Sequence, residues 1–185
     1  FTALAFCKRY HIIALDQRGH GDTEWAPDGD YSTDAHQKDI AEFVNTLGLD
    51  NFVLVGLSMG GINSYTFASN NPSKIRSLVV IDIGPETRRA GGQRITRFVS
   101  QDDILDSFEA FVERTQRYNF RRPLWQIRGS LRNALKQLPD GRWTWKYDPV
   151  LRDPERRAER GQSGDTEARW ATWQAIQSKT LLIRG

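Results

Sequence analysis

Four short apolar runs punctuate the chain: YHIIAL at 10–15, FVLV at 52–55, LVVIDI at 78–83 and TLLI at 180–183. None alternates with polar residues, which is how strands buried on both faces of a parallel sheet read. Between the first two, the stretch from Asp34 to Leu47 sets Ile40, Phe43, Val44 and Leu47 on one helical face. Ser32, Thr33 and Asp34 offer caps at its start, and Gly48 stands where a left-handed C-terminal residue is wanted. Between the second and third runs, Ser58 to Asn70 reads as a helix stopped by Pro72. Strands alternating with helices predict an α/β fold, a right-handed parallel sheet covered by helices.

After Gly84 and Pro85 the pattern changes for about ninety residues. Ser100 and Asp103 form a capping-box pattern ahead of Ile104, Phe108, Phe111 and Val112, which predicts a further amphipathic helix region. Pro139-Asp140-Gly141 is a turn signal, and Arg142 to Tyr147 then alternates with period two. Glu155 to Arg160 and Glu167 to Ser178 are polar, Arg-rich and expected to be helical. The division this predicts is a partial core at 1–84, an inserted, mainly helical segment at 85–178, and the returning core strand beginning at 179–185.

Charge supports that division. Residues 1–84 hold 6 Lys and Arg against 10 Asp and Glu, whereas 85–178 hold 18 against 13 and carry five of the six tryptophans. Apolar residues at 38% and charged residues at 26% place the chain among globular proteins. No apolar run approaches the roughly 18 residues of a membrane span. The lone Cys7 cannot form an internal disulfide, which is compatible with a reducing compartment such as the cytoplasm. The chain opens on Phe1 in what reads as a helix end and stops at Gly185 directly after TLLI. The expectation is an internal fragment, with any signal peptide upstream. Oligomeric state is not written in the sequence.

The chemistry concentrates in LVGLSMGG, residues 54–61. Gly56-Leu57-Ser58-Met59-Gly60 satisfies G-x-S-x-G between a predicted strand and a predicted helix, the context the motif requires. A serine hydroxyl is a weak nucleophile until a base takes its proton, so it must project into a cleft. A sharp strand-to-helix turn gives that projection, and glycines two before and two after the serine remove crowding side chains. The turn also aims the Met59 amide and the positive helix end at the oxygen that becomes negative during attack. The alternative is a glycine-rich turn that merely packs tightly or binds an anion.

LVGLSMGG, preceded by LDQRGHGDT at 15–23 and followed by LVVIDIGPE at 78–86, resembles the alpha/beta-hydrolase family in its esterase and lipase-like branch. The resemblance covers 1–86 and extends to 179–185. It implies Ser58 as nucleophile, a cap inserted after the strand that follows the nucleophile helix, and an acyl-enzyme formed from an ester or related small-molecule substrate. Serine at this position is similar to the ester-cleaving members rather than to the dehalogenases and epoxide hydrolases, which place an aspartate there. Thr23 and Leu57 depart from the commoner Ser and His without removing a catalytic atom. Relatives acting on lactones, thioesters or carbon–carbon bonds, perhydrolases, and a non-catalytic binding protein of the same fold remain open. No cofactor is implied, and no metal-ligand cluster is seen.

In this family the triad runs serine, acid, histidine. His11, His20 and His36 all precede Ser58. The family pattern gives His20, in RGHG, a loop-organising role, and surface or packing roles suit the other two. Asp82 ends the run LVVID at the carboxyl edge of a parallel strand, where sites of such sheets gather. It is either the acid or a structural residue of the DIGPE turn. The commoner acid position follows TLLIRG, so the usual acid and the histidine are expected beyond Gly185, and the second oxyanion donor before Phe1. The expectation is that these 185 residues alone are inactive.

Trp143, Trp145 and Tyr147 share one face if their stretch is a strand. They would pack the inserted segment onto the core, with arginines reaching to solvent, or line an apolar substrate pocket. Nucleic-acid binding is not expected, because interspersed carboxylates leave a mixed surface rather than a phosphate-tracking groove.

Overall fold

The computed structural model describes residues 2–86, 95–153 and 166–184. After the short helix α1 (Thr2–Phe6), the helix α2 (Thr33–Thr46) begins where the Ser32 side chain accepts from the Ala35 N–H, with Asp34 in its first turn. A carboxylate there complements the positive helix end. α2 is capped by Leu47, and Gly48 follows at φ +59°. The strand β1 (Phe52–Leu57), the helix α3 (Met59–Asn70) and the strand β2 (Ile75–Ile81) come next, with Pro72 opening a short 3-10 turn between the last two.

β1 pairs in parallel with β2, and β2 in parallel with a late strand, Lys179–Ile183. α2 and α3 cover this sheet. Val44, Tyr65, Phe67, Ala68, Ile75, Leu78 and Val80 form its buried core, and a side chain of Leu or Phe size contributes about 1.5–3 kcal/mol when fully buried. Trp173 lays its ring edge-on against Tyr65, with centroids 5.3 Å apart, from the helix Thr166–Gln174.

The sequence expectations need three corrections. Residues 10–15 form no strand, and Ile12, Ile13 and Leu15 are exposed; an apolar run becomes a strand only where a ladder partner takes its backbone, and none of the described strands does so here. Burial on both faces does not hold: in β2 Leu78 and Val80 are buried while Ser77, Val79 and Ile81 on the other face are half-buried, and the strand Lys179–Ile183 is exposed along its whole length. Finally, Ser100 and Asp103 do not open a helix. Ile104 and Leu105 are the strand β3, drawn into antiparallel pairing with Thr144 and Trp143. The helix α4 (Phe108–Tyr118) starts after Ser107, whose hydroxyl accepts from the Ala110 N–H at 3.2 Å.

α5 (Leu124–Ala134) follows, then β4 (Leu135–Gln137) and β5 (Trp143–Trp145), which complete a second, antiparallel sheet in the order β3-β5-β4. α6 is Thr166–Gln174 and β6 is Lys179–Ile183. Phe111, Val112, Ile127, Leu131 and Leu135 make a separate buried cluster between α4, α5 and this sheet. Trp143 and Trp145 meet the edges of Phe108 and Phe111, and Tyr147 stacks on Trp145 at 5.6 Å. The aromatic stretch thus packs its own layer. The helix expected at Glu155–Arg160 lies outside the described residues. No helix among the described residues is long and apolar enough to cross a membrane.

Candidate active site

β1 passes into α3 with a single residue between them, Ser58. Its N–H donates to the Ile81 carbonyl of β2 at 3.0 Å, extending the ladder by one residue, and its own carbonyl accepts from Ile62 N–H at 3.0 Å as the first bond of the helix. To serve both, Ser58 takes φ +51°, ψ −118°, a region that Cβ sterics disfavour for L residues. Its hydroxyl makes no capping bond to α3 and the residue is exposed. The first N–H groups of α3, beginning with Met59, have no carbonyl ahead of them in the helix and form its positive end.

The glycines show why the turn is possible. A Cβ on Gly56 would overlap the Gly60 carbonyl and the Ser64 hydroxyl, so the bar there is largely backbone. A Cβ on Gly61 would overlap an Ile83 methyl and press on Val80 Cγ1 at 3.3 Å. Gly60, read from the motif as the second relief of crowding, would meet only Gln17 Nε2 at 3.3 Å. Gly60 matters as the backbone that Gly56 packs against, and the second tight position is Gly61, one residue outside the motif.

Leu57 and Ile81 are register partners, so Ser58 and Asp82 leave adjacent strands side by side. Asp82 is exposed at φ +56° and its N–H donates to the Ile183 carbonyl at 2.7 Å. Among the described residues no histidine hydrogen-bonds the Ser58 hydroxyl. His11 is exposed. His36 is buried on α2, where burial, and then the Arg18 and His20 charges, hold it below its ordinary value. His20 places Nδ1 3.0 Å from the Arg18 carbonyl; a carbonyl only accepts, so Nδ1 carries the proton.

The RGHG segment is held by contacts the sequence reading did not identify. Arg18 sets Nε and Nη2 on the two carboxylate oxygens of Asp39 at 2.5 and 2.6 Å, and Nη1 on the Asp30 carbonyl at 2.8 Å. Gln17 Oε1 accepts from Asn63 Nδ2 at 2.5 Å, tying the loop to α3 beside Ser58. Gly19 and Gly21 sit at φ +71° and +58°, and a Cβ would run into the Tyr31 ring or the Asp16 carboxylate. From the second layer, the Asp148 N–H donates to the Gly19 carbonyl at 2.8 Å and Lys146 meets Asp22 at 2.6 Å. The Tyr31 hydroxyl donates to Asp148 at 2.5 Å, and burial, with that carboxylate, pushes the phenol up to about 12. Only the basic and acidic residue types in LDQRGHGDT hinted at this. An open hollow of about 700 Å³, lined by Ile75, Arg76, Ser77, Gln177, Ser178 and Lys179, lies at the amino ends of β2 and β6, the opposite end of the sheet from Ser58.

The model of the alpha/beta hydrolase fold matches residues 1–184. An esterase from Mycobacterium tuberculosis is 25% identical over 179 residues, with 94% of this chain and 57% of that protein covered. Its crystal structure superposes with a TM-score of 0.70 at 26% identity, over 93% of this chain and 56% of that one. A 3-hydroxybutyrate-oligomer hydrolase from Cupriavidus necator is 28% identical over 193 residues, covering 100% of this chain and 66% of that protein. An alpha/beta hydrolase structure from Novosphingobium aromaticivorans is similar in fold, with a TM-score of 0.76 at 23% identity over 90% of this chain and 60% of that one. The chain therefore spans 57% and 66% of the two curated relatives named.

Proposed function

This chain belongs to the alpha/beta hydrolase fold family, and from that premise we propose that it carries the nucleophile of a serine hydrolase acting on an ester or related acyl substrate. The observation that carries the proposal is the backbone of Ser58, φ +51° and ψ −118° between β1 and α3. A disfavoured conformation persists only where its surroundings over-determine it, and such residues gather at active sites. Here the strain leaves an exposed, uncapped hydroxyl at the carboxyl edge of a parallel sheet, where ligands of open α/β sheets bind.

In the proposed reaction Ser58 Oγ attacks the acyl carbon as its proton passes to a base. The Met59 N–H donates to the carbonyl oxygen as that oxygen becomes negative. Collapse expels the alcohol and leaves Ser58 acylated, and water then releases the acid. Asp82 is the candidate acid because it leaves the strand next to Ser58, and its competing role is to hold the turn after β2. No histidine follows Ser58 in the chain, so a triad in the order serine, acid, histidine draws its base from residues other than these 185. The inserted segment, 85–178, is proposed as the cap over the serine. The mycobacterial esterase supports ester chemistry over the other reactions open to the fold.

The test is labelling of the full-length protein with a fluorophosphonate. The expected result is one adduct, mapped to Ser58 by peptide mass and absent in Ser58→Ala. A folded protein that stays unlabelled, or is labelled elsewhere, overturns the proposal.

A further inference from the structure

Where α4 gives way to α5, three large apolar side chains stand in solvent close together in the chain: Phe120 is 71% exposed, Leu124 42% and Trp125 60%. Single exposed apolar residues are ordinary, whereas a group of them marks a contact surface. The tip that carries them is a closed turn. The Arg122 N–H donates to the Asn119 carbonyl at 3.1 Å, and Arg122 Nη2 donates to the Ser130 hydroxyl of α5 at 2.7 Å. Leu124 and Trp125 occupy the first turn of α5. The inner face of the same helix pair is already filled, by Phe111, Val112, Ile127 and Leu131. The three tip residues are what remains once the core of this layer is complete.

Charge indicates the kind of partner the tip suits. Residues 114–139 hold six Arg and one Lys and no Asp or Glu. Arg114 is buried, Arg128 pairs with Glu109, and Lys136 lies over the Trp25 ring. Arg117, in the last turn of α4, and Arg121 are exposed, and among the described residues neither has a carboxylate in an ion pair. The Arg121 guanidinium lies over the Phe120 ring at 5.7 Å, so cation and apolar group are presented side by side. An anionic lipid surface has the matching profile, with phosphates outside and an apolar boundary directly beneath. Aromatic and aliphatic side chains enter that boundary, while arginine stems let the guanidinium stay at the level of the phosphates. A nucleic acid would meet the arginines but leave the aliphatic Leu124 in water. A second copy of the chain would bring like charges together.

We propose that this tip docks the protein onto an anionic lipid surface, with Phe120, Leu124 and Trp125 entering the headgroup boundary and Arg117 and Arg121 meeting the lipid phosphates. Three partly inserted side chains and two charges give reversible docking, far short of an anchored span. None of these residues belongs to the Ser58 turn, so this surface and the catalytic proposal stand or fall separately.

The test is co-sedimentation of the full-length protein with vesicles of phosphatidylcholine alone and of phosphatidylcholine with one third phosphatidylglycerol. The expected result is binding to the anionic vesicles that weakens as sodium chloride is raised, with little binding to the neutral ones. Arg117→Gln with Arg121→Gln should weaken it by roughly fivefold for each charge removed and flatten the salt dependence. Phe120→Ser with Trp125→Ser should weaken it by about tenfold or more while leaving the salt dependence in place. All four side chains are exposed, so both variants should fold, which thermal unfolding checks, and fluorophosphonate labelling of Ser58 in the same preparations reports on the catalytic reading alone. Absence of binding to anionic vesicles, equal binding to neutral ones, or unchanged binding in either variant overturns the proposal. So does tighter binding to a single-stranded RNA oligonucleotide than to the anionic vesicles, or dimerisation in solution that Phe120→Ser with Trp125→Ser abolishes.

Discussion

Replacing Ser58 by glycine and by alanine separates backbone strain from side-chain chemistry. Both variants lose the hydroxyl, and the wild-type hydroxyl makes no capping bond, so Ser58→Ala should keep the stability of the parent. Ser58→Gly removes the Cβ that makes φ +51°, ψ −118° unfavourable. Such a conformation costs about 1–3 kcal/mol, and the extra freedom of glycine in the unfolded chain returns about 0.5–1 kcal/mol of that. The glycine variant should therefore exceed the alanine variant by about 1 kcal/mol at mid-range and up to about 2.5 kcal/mol, each kcal/mol raising the melting temperature of a domain this size by roughly 2–4 °C. The assay is urea unfolding of the three proteins side by side, with fluorophosphonate labelling as the activity readout. A glycine variant no more stable than the alanine variant would show that Ser58 is not strained and would remove the main support for its role.

Gly56→Ala should cost about 1–3 kcal/mol, because the Gly60 carbonyl cannot move aside without breaking the turn. Gly60→Ala, opposed only by the end of Gln17, should cost clearly less in the same denaturation series. Tyr31→Phe leaves the buried Asp148 carboxylate without its phenol donor, and should lower unfolding free energy by about 1.5–3 kcal/mol. For pH, the native state holds His36 below its ordinary value of 6.5, so between the two values the unfolded chain binds more protons. The His36 contribution is then present above about pH 6.5 and lost as pH falls toward the lower native value. Urea midpoints measured against pH should show that slope in the parent and a flatter one in His36→Gln; equal slopes would refute it.

Where structure is set by near neighbours, the sequence showed it. α2 was legible because Ser32, the apolar spacing through Val44 and Gly48 act within a few residues of one another. Ser58 was legible because a strand that must become a helix in one step needs glycines at fixed offsets, although the role of Gly61 emerges only once Ile83 and Val80 are seen against it. Residues 10–15 misled because an apolar run carries no record of whether a ladder partner exists. The second sheet was hidden because β3 has two residues and β4 carries Lys136 and Gln137 on exposed positions. Arg114 of α4, only 6% exposed, falls where charge on a helix ordinarily means solvent, and besides Phe111 of its own helix its burial depends on Phe98 and Trp145 from elsewhere in the chain. The Gln17–Asn63 and Tyr31–Asp148 bonds join distant segments of chain and leave no periodic trace.

Those distant bonds bear on the order in which the molecule is assembled. The loop beside Ser58 is fixed by partners 117 and 124 residues further along, Asp148 for Tyr31 and Lys146 for Asp22. The sheet edge at Asp82 is bonded by Ile183. Contacts this remote are slow to form and exist only once the later segment has been made. On the ribosome the first segment of the site to be synthesised is among the last to be locked. Nascent chains arrested before Lys146 should expose the 16–31 loop to protease, and chains arrested well beyond Asp148 should protect it.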